Sequence, residues 1–184
     1  MTNVDPLNSN AGDLRDIVNS ILSTTHSDKV NIIVHSKGGL DARWYIADKA
    51  ANPIDKVANL IMIGTPNSGT RAIIPAAFGW NVLCPSGSKG LKDLLPGSDA
   101  TRTAGYYSPY SPFPNCFFPI PFSGNCLLGS NNDLLVRVGS VQCSPEHCYN
   151  SLEDFPYNHL ELLKHKDVYE KVLPILSCGR VVCA

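Results

Sequence analysis

The chain is 184 residues long, carries a formal net charge of −1, and is 43% hydrophobic and 17% charged. That length suits one domain with one core, and the apolar share is ordinary for a water-soluble globular protein. No basic block or aromatic-basic interleaving points to a nucleic-acid partner, no apolar run approaches the roughly 20 residues of a membrane span, and the polar start MTNVDPLNSN does not read as a signal peptide.

Leu14, Ile17, Val18, Ile21 and Leu22 recur at helical spacing, with Asp13 available as a cap, and predict an amphipathic helix ending at Thr24 or Thr25. Val30 to Val34 then reads as a buried strand, Gly39 to Ala50 as a helix, and Val57 to Ile63 as a second apolar strand. This alternation predicts a parallel βαβ arrangement with both strands inside one sheet.

Between the first strand and its helix the chain reads VNIIVHSKGGLDAR, so Ser36 stands at a strand-to-helix turn. A reversal that sharp pushes the turn residue toward strained backbone angles and lifts its side chain clear of the sheet. The helix N-terminus supplies unpaired N–H groups and a positive partial charge, which would let the amide of Lys37 stabilise an oxyanion formed by attack of Ser36 on a carbonyl. Gly38 and Gly39 allow close backbone approach on the helix side. The usual pattern is G-x-S-x-G, and Val34 occupies its first glycine position. A tight turn with a capping serine is the plain alternative.

Residues Arg71 to Asn132 carry loop signals throughout, and Tyr106 to Phe122 gathers seven aromatic rings among five prolines. A loop this long is usually functional or disordered, and the rings favour a lid or an acyl-chain surface. Leu134 to Val141 reads as a short final strand, and Leu160 to Leu176 as a closing helix interrupted near His165 and Lys166. Six of the seven cysteines fall into local pairs, Cys116 with Cys126, Cys143 with Cys148 and Cys178 with Cys183, leaving Cys84 over. These read as disulfides, against the alternative of unrelated thiols, and favour an extracellular setting. No C-x-x-C pair suggests a metal.

A serine hydroxyl needs a base, and the base needs an acid to hold its tautomer. Asp133, in SNNDLLVRVGS, and His159, in PYNHLELLKH, follow Ser36 in the order Ser, acid, His. His35 adjoins the serine and is expected to point to the opposite side of the turn as a packing residue. His26 lies at the wrong sheet end, His147 stands between two cysteines and His165 inside the last helix; Asp99 and Asp154 are weaker candidates for the acid.

HSKGGLDAR, IGTPNSGT, LLPGS at Leu94 to Ser98, NDLLV and NHLELL, in that order, make the chain resemble the α/β-hydrolase lipases and esterases, in particular bacterial-type triacylglycerol lipases. The resemblance implies an α/β-hydrolase fold, a mostly parallel sheet with flanking helices, over a single domain at residues 1–184 with 71–132 as a lid-like insert. It implies Ser36 as nucleophile, Asp133 as orienting acid, His159 as general base, Lys37 as a backbone oxyanion donor and Arg43 as a structural residue. No cofactor is implied. Some relatives hold calcium through paired aspartates; here no acidic residue occurs between Ala100 and Asn132, and Glu161 stands where an aspartate ligand would be, so no metal site is expected. Family members also have an earlier strand ending in an HG motif that donates a second oxyanion N–H, and this chain reads as lacking those N-terminal strands. The implied function is hydrolysis of acyl esters or lipids through an acyl-serine, with transient contact at a lipid interface and no transmembrane segment. The alternatives are a truncated, catalytically impaired domain acting as a binding module, and a related acyltransferase or lipid-anchor deacylase.

Overall fold

Pro6 opens the first helix, α1, which runs over Leu7–Thr25 and closes on His26 in the left-handed region. The computed structural model describes residues 6–47, 53–70, 89–98, 101, 111–112, 133, 135–136, 138–142 and 154–178. The Pro6 carbonyl accepts the Ser9 and Asn10 N–H groups at 3.1 and 3.2 Å. Asp13 therefore lies inside the helix rather than at its cap. The extra turn has a tertiary cause: Asn10 is buried and donates its side-chain amide to both carboxylate oxygens of Asp41 at 3.2 Å.

Strand β1, Val30–His35, leads through Ser36 alone into helix α2, Lys37–Ala47, which starts two residues before the predicted Gly39. After a 3-10 turn over Pro53–Lys56 comes strand β2, Val57–Ile63, with the predicted bounds. The two strands pair in parallel from Asn31 opposite Asn59 to His35 opposite Ile63, with a register shift after Val30, which pairs with Val57. The predicted βαβ unit is present. Among the described residues, however, β1 and β2 pair only with each other.

The continuous apolar run of β2 is explained by burial on both faces. Leu60 and Met62 pack with Ile32 of β1 against Ala11 and Val18 of α1 and Ala42 and Tyr45 of α2. On the opposite face, Ile61 meets Val172 and Ile175, while Ile63 meets Phe155, Leu162 and Val168. Those partners come mainly from helix α5, Lys166–Cys178, and the 3-10 turn Glu161–Leu163 before it, with Lys164 and His165 between the two as the sequence suggested. The result is helix, sheet, helix in three layers.

Shorter pieces complete the description: helix α3, Lys89–Lys92, strand β3, Ser111–Pro112, helix α4, Val138–Gln142, and strand β4, Asp154–Phe155, which pairs in parallel with β3. Helix α4 overturns the predicted strand over Leu134 to Val141. Six of the cysteines and nearly all of Tyr106 to Phe122 lie outside the described residues, so the disulfide and lid expectations do too. No helix among the described residues is long and apolar enough to cross a membrane.

Candidate active site

One residue separates the end of β1 from the start of α2, and it must turn the chain through the left-handed region: Ser36 has φ 54°. A non-glycine residue there costs on the order of 1–3 kcal/mol and persists only where its surroundings fix it. Two backbone hydrogen bonds do so. Ser36 N–H donates to the Ile63 carbonyl at 2.9 Å, which extends the ladder to β2, and the Ser36 carbonyl accepts from Gly39 N–H at 3.1 Å.

The glycine requirement resolves onto one position. A Cβ on Gly39 would lie 2.0 Å from Thr65 Oγ1, so α2 can approach the end of β2 only with glycine there. A Cβ on Gly38 would meet the Val34 side chain at an ordinary 3.6 Å. Val34, at the first glycine position of the usual pattern, is thus accommodated against the space beside Gly38.

Lys37 turns its side chain away into a buried pair with Asp41, at 2.9 Å, which Asn10 completes from α1. Burial raises the Asp41 carboxyl above its usual range, with the bonds from Lys37 and Asn10 acting the other way.

His159 and Asp133 come together from segments 26 positions apart. His159 Nδ1 lies 2.5 Å from Asp133 Oδ2, and both side chains are almost wholly buried. A carboxylate accepts, so the contact assigns the donor hydrogen to Nδ1, and in the neutral ring with that tautomer Nε2 is the acceptor. Asp133 is fixed in turn: Oδ1 accepts the N–H groups of Leu135 and Val136 at 3.0 and 2.6 Å, and its carbonyl accepts His159 N–H at 2.9 Å. His159 Nε2 is buried with no hydrogen-bond partner among the described residues, Ser36 included.

The imidazole lies against Gly64, at the end of β2, and His35, at the end of β1. Gly64, at φ +57°, follows the residue that accepts the Ser36 N–H, and a Cβ on it would stand 3.3 Å from His159 Cε1 and Nδ1. The His35 ring lies 4.5 Å from the His159 ring, centroid to centroid, and His35 Nε2 is 2.8 Å from the His159 carbonyl oxygen. This corrects the expectation that His35 points away from the site: the loop after β4 folds back over the ends of both strands, which local strand alternation does not reveal. Gly64 belongs to the same contact, and its sequence signal is a glycine directly after an apolar strand.

Glu161 serves the same loop. Its carboxylate accepts Asn158 N–H at 3.3 Å while Asn158 Oδ1 accepts the N–H groups of Leu160 and Glu161 at 3.2 and 3.0 Å, a reciprocal pairing of the kind that opens helices. Arg43, fully buried, donates to the carbonyl and side-chain oxygens of Asn67 at 3.1 and 3.2 Å, and Asn67 donates to the Val141 carbonyl at 2.7 Å. Helix α2 is thereby tied, through the turn after β2, to helix α4. Of the competitors, His165 stacks on Tyr157 and His26 caps α1, while Asp99 and His147 lie outside the described residues. Among the described residues no group of three histidine, cysteine or acidic side chains could hold a metal.

No protein-family model matches the chain. Its fold is similar to that of a Bacillus licheniformis lipase in mature form, with a TM-score of 0.70 at 18% identity over 94% of this chain and 75% of that one. The propeptide form of the same lipase gives a TM-score of 0.67 at 16% identity, covering 98% of this chain but only 42% of that chain. Staphylococcus hyicus lipase gives 0.55 at 16% identity over 82% and 70%. At such identities the likeness speaks to the fold alone, of which the described residues show a parallel pair of strands with flanking helices.

Proposed function

We propose that the chain is a serine ester hydrolase of the lipase and esterase type, with Ser36 as nucleophile, His159 as general base, Asp133 as orienting acid and the Lys37 N–H as an oxyanion donor. The observation that carries this reading is the buried Asp133–His159 pair resting on Gly64, beside a serine held at positive φ between strand and helix.

In the proposed reaction His159 Nε2 takes the hydroxyl proton as Ser36 Oγ bonds to the ester carbonyl carbon. Asp133 stabilises the imidazolium without itself taking the proton. Negative charge moves to the carbonyl oxygen, which faces the N-terminus of α2. As the tetrahedral species collapses, the alkoxy carbon–oxygen bond breaks and the alcohol leaves with the proton from His159. Water, deprotonated by His159, then attacks the acyl-serine, the bond from the acyl carbon to Ser36 Oγ breaks, His159 returns its proton to that oxygen, and the acid leaves. An acyltransferase or lipid-anchor deacylase would share the first half and differ in acceptor or substrate.

The lone pair on Nε2 has no rival partner among the described residues, which suits a base awaiting a proton. The test is a fluorophosphonate probe with peptide mapping, run beside hydrolysis of a short and a long p-nitrophenyl ester. Label should fall on Ser36, and Ser36→Ala should lose both label and turnover; label elsewhere, or turnover unchanged in Ser36→Ala, overturns the assignment.

A further inference from the structure

We infer that His35 is a positioning residue for the general base, acting as a neutral hydrogen-bond donor that ties down the backbone of His159. The inference rests on the hydrolase reading above. His159 is held at its polar groups on three sides: its ring N–H by Asp133 Oδ2, its backbone N–H by the Asp133 carbonyl, and its backbone carbonyl by His35 Nε2 at 2.8 Å. The first two come from one residue on one loop. Among the described residues, His35 supplies the hydrogen bond between the base and the strand that leads directly into Ser36, so it acts with the contact at Gly64 to fix His159 relative to the nucleophile.

The donor role fixes the tautomer of His35, since a carbonyl oxygen accepts and Nε2 must then carry hydrogen. The ring contact constrains its charge. During turnover His159 becomes cationic, and a second cation with its ring centre 4.5 Å away would oppose it. The titratable groups that act on His35 are His159 and Asp133. Burial, and then the charge of His159, hold His35 below the usual histidine range, while the bond to the His159 carbonyl and the carboxylate of Asp133 act in the other direction. Neutrality of His35 and catalysis by His159 are therefore linked.

The test compares wild type with His35→Gln, which keeps an uncharged donor, and His35→Phe, which keeps a ring without one. Active sites are counted by fluorophosphonate titration. We expect His35→Phe to lose about 10- to 100-fold in kcat, the scale of a small misplacement of a catalytic group, with KM little changed, and His35→Gln to stay within about threefold of wild type. On the acid side, log kcat/KM of wild type should fall more steeply than that of His35→Gln, because a proton on His35 sets a second cation beside the ring of the base. If His35→Phe does not fold, His35→Asn, too short to span the same gap, replaces it. A donorless variant as active as wild type, a Gln variant as poor as the donorless one, or the same acid limb in wild type and His35→Gln overturns the inference. Each of those results leaves Ser36 labelled and the hydrolase reading intact, whereas a wild type that neither labels at Ser36 nor turns over esters sinks both.

Discussion

Asp133 offers the sharpest prediction at the scale of the single residue, because one oxygen holds the His159 ring and the other holds two backbone N–H groups. Asp133→Asn could present an N–H to Nδ1 and would then favour the wrong tautomer, so kcat should fall by about 10⁴, with residual activity above background. His159→Ala should lose at least as much. A variant Asp133→Asn within tenfold of wild type would place the orienting acid elsewhere. The same scale yields a pH prediction. His35 is held below its ordinary value of 6.5, so the unfolded chain binds that proton more tightly and the group's contribution to stability, complete above about pH 6.5, is lost as pH falls. Thermal midpoints measured from pH 7.5 down to 5 should therefore drop less for His35→Gln than for wild type; equal slopes would mean that His35 titrates alike in both states. The turn at Ser36 and the meeting of Asp133 with His159 could be anticipated from turn chemistry and chain order. The contacts of His35 and Gly64 could not, since they depend on a loop returning from more than 90 positions away, and no local pattern encodes that return.

Among the elements, α1 and α2 are joined by a polar contact that the hydrophobic pattern could not announce. The Lys37–Asp41 pair lies one turn apart on α2, buried, and Asn10 reaches it from the first turns of α1. That contact explains why α1 begins before Asp13. Removing one partner strands a buried charge, at a cost of about 3–5 kcal/mol, whereas replacing both by apolar groups of similar size is often close to neutral. Urea unfolding should accordingly show Asp41→Ala strongly destabilised and the double variant Lys37→Met with Asp41→Leu much closer to wild type. If the double variant is as unstable as the single one, the pair contributes more than its own charge balance. Helix α4 makes the complementary point. The run VRVGSV alternates like a strand, and short apolar runs are ambiguous by periodicity alone. In the fold, Ser140 instead receives the Ser68 N–H on its carbonyl at 3.2 Å and donates its hydroxyl to the Gly69 carbonyl at 2.7 Å, so the segment is set by the turn after β2.

For the molecule as a whole, the two strands experience different surroundings although their sequences look alike. Ile33 and Ile61 are register partners on the same face of the sheet, the face covered by α5. Ile61 is 1% exposed and Ile33 47%. The βαβ order and the parallel pairing were readable from alternating apolar runs, but the reach of α5 across the sheet was not, because it depends on packing against β2 at Val172 and Ile175 rather than on any property of β1. This difference can be tested with one substitution made twice. Ile61→Thr places a hydroxyl against α5 and removes a methyl group, which should cost about 2 kcal/mol or more in urea unfolding. Ile33→Thr should change stability by no more than about 0.5 kcal/mol, as for an exposed position. Among the described residues β1 pairs along one edge only, and an exposed apolar side chain on such a strand invites pairing between molecules, so Ile33→Thr should lower concentration-dependent light scattering relative to wild type. Equal destabilisation by the two substitutions would mean that Ile33 is covered in solution, and then the flank of β1 is an interface rather than an open face.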